Sequence, residues 1–154
     1  ENGLQSISLR IFNIYGPGQD NRLVIPRFIE HALAGTPITI YGDGRQQRDF
    51  VYVDDVVNAF IGAYQSIQGC SVLNISSGVA VSVKTLAKRI IAGTGNKSAL
   101  EFVPLPSERM SHEVSGSIGS STELHRLLDL APLVPLEQGL ASTISEIQAN
   151  LVTP

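Results

Sequence analysis

Apolar and polar positions alternate along most of Ser6-Ile7-Ser8-Leu9-Arg10-Ile11-Phe12, a period of two that predicts a β-strand. Tyr15-Gly16-Pro17-Gly18 breaks the pattern into a loop. The period then lengthens to that of a helix over Val24 to Ala34, with Pro26 tolerated in the first turn, Gly35 just past the end and Pro37 forbidding continuation. Ile38 to Tyr41 predicts a short strand, Gly42-Asp43-Gly44-Arg45 a turn, and Arg48 to Tyr52 a second short strand. Val53, Val56, Val57, Phe60, Ile61 and Tyr64 fall on one face of a helix opening near Asp54. Ser71 to Ile75 predicts a strand. Ser82 suits the N-cap of a helix through Val83, Leu86, Ala87, Ile90 and Ile91, which Gly93 and Gly95 end. A strand at Leu100 to Val103 leads into the Pro104-Leu105-Pro106 loop. Ser120-Ser121-Thr122-Glu123 has capping-box spacing ahead of Leu124, Leu127 and Leu128. A last helix is expected at about Leu136 to Asn150.

Strands alternating with helices give an α/β class. The expectation is one compact domain over 1–154, with the first strand in a different sheet from the rest. The chain shows no internal repeat, low-complexity linker or heptad pattern. Its 43% apolar and 16% charged residues suit a water-soluble fold with a core. A net charge of −3 leaves no basic stripe for a nucleic acid, though one or two placed cations suffice for a small anion. No apolar run reaches membrane-spanning length. The single cysteine, Cys70, forms no disulfide within the chain, so a reduced, cytoplasmic setting is the default expectation. The start, Glu1-Asn2-Gly3, is unlike a signal peptide and lacks an initiator Met, which reads as a chain with something missing upstream.

Candidate chemistry is sparse. Arg48 and Arg109 lie at the ends of predicted strands, where ligands of α/β proteins gather, and a guanidinium fork suits a diphosphate. The plainer reading is a surface ion pair, for instance Arg48 with Asp49 or Asp43. Gly16-x-Gly18 and Gly42-x-Gly44 lack the third glycine of a dinucleotide loop and read as turns. His31, His112, His125 and Cys70 have no metal-binding spacing. Asp54-Asp55, at a helix start, reads as capping and macrodipole stabilisation rather than a catalytic pair. No catalytic residue is assigned.

Several stretches in order resemble extended short-chain dehydrogenase/reductases of the NAD-dependent epimerase/dehydratase family, most nearly its UDP-glucose 4-epimerase-like members. They are Leu9-Arg10-Ile11-Phe12-Asn13-Ile14-Tyr15-Gly16-Pro17-Gly18, Gly35 to Gly44, Gln47-Arg48-Asp49-Phe50-Val51-Tyr52-Val53-Asp54-Asp55-Val56, Leu73 to Gly78, Leu86-Ala87 and Leu136-Glu137-Gln138-Gly139-Leu140. Together they cover nearly the whole chain. The resemblance implies a small C-terminal substrate-binding domain plus a last strand of the Rossmann sheet, with residues 1–18 a remnant of the NAD domain and most of the Rossmann core absent.

It also implies roles. Asn13 would bond the sugar diphosphate, and Arg48 and Arg109 would clamp it. Leu23 would line the nucleotide pocket, while Thr39, Ile40 and Tyr41 would pack on the base. Phe12, Tyr15 and Pro17 would border the nicotinamide. Two positions depart from the family pattern: His112 stands where an Asp often follows the second arginine, and Gly119 where the next helix usually starts on an Asp.

Family members carry a Tyr-x-x-x-Lys pair as acid/base and cofactor ligand. Here Tyr15, Tyr41, Tyr52 and Tyr64 are followed four residues on by Gln19, Arg45, Val56 and Gln68. In a complete enzyme NAD would oxidise the sugar at C4 and return hydride to the other face of the ketone; this chain alone has no agent for either step and is expected to be inactive and not to hold NAD. The expected partners are a UDP-sugar or other nucleotide sugar and a missing N-terminal half, or a second copy covering an exposed apolar patch near the first strand. The alternatives are a stand-alone nucleotide-sugar-binding module, a fragment of a nucleotide-sugar 4,6-dehydratase or decarboxylase, and a remnant that folds without a ligand.

Overall fold

The computed structural model describes residues 5–66, 69–95, 98–106 and 116–152. Strands and helices alternate as β1 (Ser6–Ile11), β2 (Asn13–Tyr15), α1 (Val24–Leu33), β3 (Ile38–Tyr41), β4 (Gln47–Tyr52), α2 (Val53–Ser66), β5 (Cys70–Ile75), β6 (Ala80–Ser82), α3 (Val83–Gly93), β7 (Leu100–Val103), β8 (Gly116–Ser117), α4 (Thr122–Leu127) and α5 (Leu136–Val152). The α/β class and most expected elements are present. The three short strands β2, β6 and β8 were not expected, because two or three residues carry too little periodicity to separate from a loop.

β1 pairs in parallel with β5, from Ser6 opposite Cys70 to Ile11 opposite Ile75. Among the described residues these two form their own sheet. The chain then changes sheets within one residue. Phe12 still donates its N–H to Ile75 O at 3.0 Å, while Asn13–Tyr15 runs parallel to Phe50–Tyr52 of β4. β4 also pairs antiparallel with β6 and parallel with β8, and β3 pairs in parallel with β7. Thus β5 shares a sheet with β1, and β2 already belongs with β4.

Two apolar cores flank β4, because successive side chains of a strand point to opposite faces. Phe50 and Tyr52 join Tyr15, Phe28, Ile38, Ile40, Leu86, Ile90 and Leu140 beneath α1, α3 and α5. Val51 joins Val56, Ala59, Leu73, Ile75, Leu124 and Leu128 between the β1–β5 pair and helices α2 and α4. Ser82 caps α3 as expected, its Oγ accepting the Thr85 N–H at 3.1 Å.

Three local expectations are corrected. α2 buries only part of the stripe read from its sequence. Asp55, Val56, Ala59 and Ala63 face the core, while Val57, Phe60, Ile61 and Tyr64 are 49%, 52%, 50% and 85% exposed. The capping box before α4 does not form: Ser121 occupies the N-cap without a side-chain bond, Ser120 meets the Thr122 hydroxyl, and Glu123 instead holds Arg126 at 2.7 Å. Asp55 is a tether rather than a cap, both of its oxygens receiving the Val134 N–H at 3.2 and 3.1 Å. Among the described residues no helix is long and apolar enough to cross a membrane.

Candidate functional site

The site is built where β2, β4 and the end of β3 meet α1. Alternation along β4 sends Arg48 and Phe50 to one side of the strand and Asp49 to the other. Parallel pairing sets Asn13 opposite Phe50. Alternation along β3 buries Ile38 and Ile40 (0% and 1% exposed) and leaves Tyr41 on the opposite face. The result is a cavity of about 560 Å³ whose wall includes Phe12, Asn13, Leu23, Tyr41 and Arg48. That volume lies within the roughly 300–1,000 Å³ usual for small-molecule sites.

Of the residues expected at a site, these five are brought together. The others stand elsewhere. Ile40 is core, and strand alternation is the reason: Thr39, Ile40 and Tyr41 cannot all face one ligand. Thr39 shares Tyr41's face but lies off the cavity wall. Tyr15 is 1% exposed, its ring edge-on to Phe50 and Tyr52 and its hydroxyl donating to Leu136 O at 3.3 Å, so it stands in the core and off the cavity wall. Burial, and then the Asp55 carboxylate, push its phenol above the ordinary tyrosine range. Pro17 is exposed and off the wall. Arg109 and His112 lie outside the described residues.

Among the described residues, Arg48 is the only charged side chain on the cavity wall. Its Nη1 donates to Gln47 O at 2.8 Å. The two partners expected for a plain surface ion pair have other bonds: Asp43 meets Arg45 at 3.4 Å, and Asp49 is fully buried among backbone donors. Asn13 donates one amide hydrogen to Asp49 O at 2.9 Å, which orients the amide and leaves its nitrogen a second donor. Gln46 braces the turn after β3 by donating to Tyr41 O at 3.2 Å.

Sequence reasoning missed Gln19, Gln46, Val83 and Leu105, which also line the cavity. They come from turns and a helix start with no periodic signal, so only the folded chain assembles them. The wall thus combines one guanidinium, several amides and apolar rings. That set suits an anion carrying a flat apolar group.

A family model described as "NAD dependent epimerase/dehydratase family" matches residues 1–76. The chain is 37% identical over 147 residues to a UDP-N-acetyl-alpha-D-glucosaminuronate decarboxylase of Bacillus cytotoxicus, covering 92% of this chain and 46% of that protein. Its fold is similar to the UDP-glucose 4-epimerase of Thermotoga maritima solved with UDP-glucose, with a TM-score of 0.88, 35% identity, and coverage of 98% of this chain and 48% of that one. It is also similar to the UDP-glucose 4-epimerase of Thermus thermophilus solved with NAD, with a TM-score of 0.81, 28% identity, and coverage of 95% and 47%. The chain spans about half the length of the relatives it matches. With the ordered motifs, the α/β fold and these likenesses in agreement, the chain belongs to the NAD-dependent epimerase/dehydratase family of extended short-chain dehydrogenase/reductases.

Proposed function

We propose that this chain is the nucleotide-sugar-recognition part of an NAD-dependent enzyme similar to UDP-glucose 4-epimerases. The carrying observation is the cavity of about 560 Å³ on whose described wall Arg48 is the one charged group. A diphosphate sits against Arg48 and Asn13, while the nucleoside lies toward Leu23 and Tyr41. Arg109 supplies the second cation of the clamp. A guanidinium fork on the cavity wall favours a dianion over a neutral sugar, because charge-assisted hydrogen bonds are about twice as strong as neutral ones.

The residues set by resemblance at the nicotinamide do not make one surface, since Phe12 lines the cavity while Tyr15 is in the core. The 154 residues hold no Tyr-x-x-x-Lys pair. A second unit, on the same polypeptide or another, therefore supplies NAD and the acid/base, and these residues alone are inactive. Two surfaces support such a partner. Among the described residues β1 pairs only with β5, and α2 exposes Val57, Phe60, Ile61 and Tyr64 beside that sheet.

Calorimetry with UDP, UDP-glucose and dTDP-glucose tests the recognition. UDP-glucose binds, and Arg48→Ala weakens it more than about tenfold, the loss of roughly 1.5–3 kcal/mol of charged hydrogen bonding. Absence of heat with all three ligands would sink the reading. The likeness to a decarboxylase favours a second reading, the corresponding part of a UDP-sugar decarboxylase. Product analysis after reconstitution with an NAD-binding unit separates the two: an inverted hydroxyl for the epimerase, carbon dioxide for the decarboxylase.

A further inference from the structure

Asp49 is completely buried, yet its carboxylate is well supplied with donors. One oxygen accepts the Ser77 N–H at 2.7 Å and the Ser77 hydroxyl at 2.6 Å. The other accepts the Gly78 N–H at 3.0 Å and the Gly119 N–H at 3.1 Å. Its own carbonyl accepts the Asn13 amide at 2.9 Å. One residue thus ties together β2, β4, the turn after β5 and the loop after β8.

The junction reaches the cavity by three routes. Arg48 precedes Asp49 on β4 and faces the other way, onto the cavity wall, so anchoring Asp49 fixes the strand from which Arg48 projects. Asn13, also on the wall, is held directly. Gly119 lies so close to Ser76 and the Phe12 ring that any Cβ there would strike both, so the loop bonded to Asp49 also backs a third wall residue. A buried carboxylate is costly unless its lone pairs are filled. Four donors fill them here, so the four segments are set relative to one another.

We propose that Asp49 is the positioning residue of the anion site, holding Arg48 and Asn13 so that both present N–H groups to one ligand. It does not touch that ligand itself. The assignment rests on the reading of Arg48 and Asn13 as diphosphate ligands. Asparagine at this position keeps the shape but turns an NH2 group toward two of the donors, which misplaces the junction without emptying it.

The test is a pair of double-mutant cycles in UDP affinity, measured by calorimetry on the 154-residue chain with melting temperature recorded alongside. Asp49→Asn weakens UDP by about tenfold or more in the parent chain, and by less than about threefold once Arg48→Ala or Asn13→Ala is present, because a misplaced group that has already been removed costs nothing further. If Asp49→Asn does not fold, Ser77→Ala removes one donor from the same carboxylate; its loss is smaller and equally non-additive. Failure of the parent chain to bind UDP overturns the reading of the cavity and this assignment with it. UDP binding with losses that multiply in both cycles overturns this assignment alone, leaving Asp49 a purely structural anchor.

Discussion

The ring of Tyr15 lies directly against the backbone of Gly139 in α5, so close that a Cβ on Gly139 would collide with the phenol and with Tyr52. Glycine ordinarily weakens a helix interior by about 1 kcal/mol relative to alanine. Here it lets α5 seat on the aromatic cluster behind the cavity, with Tyr15 donating to Leu136 O. Gly139→Ala therefore destabilises the chain by about 1–3 kcal/mol despite the better helix former, as overpacking does. Tyr15→Phe, which removes the atom nearest the collision, restores part of the loss. Chemical denaturation of the two single variants and the double variant checks this, and a more stable Gly139→Ala protein refutes it.

Asp55 gives a pH dependence of defined sign. Burial, the largest cause, raises its carboxyl above the ordinary range; the Val134 N–H opposes the shift and the Asp54 charge adds to it. The folded chain then binds the proton more tightly than the unfolded chain. This contribution makes stability fall as pH rises from the ordinary carboxyl value, about 3.9, through the raised folded value, and it is constant above. Asp55→Asn keeps an oxygen for the Val134 N–H and removes the titration. Urea titrations between about pH 4 and 7 show the decline in the parent chain minus the variant. Identical pH slopes in both count against the assignment.

Val57, Phe60, Ile61 and Tyr64 form a stripe at i, i+3, i+4 and i+7 that stays about half exposed or more. Val57, Phe60 and Ile61 are each about half covered, so one polar substitution there costs the isolated chain about 1 kcal/mol, half of what burying a whole large apolar side chain is worth, and leaves it folded. Phe60→Ser with Ile61→Ser lowers the apparent mass in light scattering if copies associate through this face. In a reconstituted complex it weakens capture of the NAD-binding unit. Loss of folding in the isolated chain would show instead that the stripe supports the core.

Arg48→Lys separates charge from geometry. Lysine keeps the cation but not the planar fork. UDP affinity falls by about tenfold and retains its salt dependence, whereas Arg48→Ala reduces both. Equal affinity for the lysine and arginine forms would mean that the site reads charge alone.

The sequence by itself determined the alternation of strands and helices, the Ser82 cap and the family, because these depend on local period and on ordered motifs. It also named five residues that prove to share a cavity. The tertiary structure decided which face of each element was spent on which neighbour. Thr39, Ile40 and Tyr41 are adjacent in sequence, yet strand alternation gives Ile40 to the core and Tyr41 to the cavity. In α2 the larger apolar residues lie outward and small ones inward, because Ala59 and Ala63 are what fit between the helix and the β1–β5 pair. Tyr15 looked like a site residue from its motif and is a core residue because Gly139, 124 positions later, leaves room for its ring. Asp49 looked like Arg48's partner, until Ser77, Gly78 and Gly119 filled its oxygens. Alternation along β3 is local, but which of its faces meets the core, like the other three cases, is decided by contacts between positions far apart along the chain, and no local period encodes those.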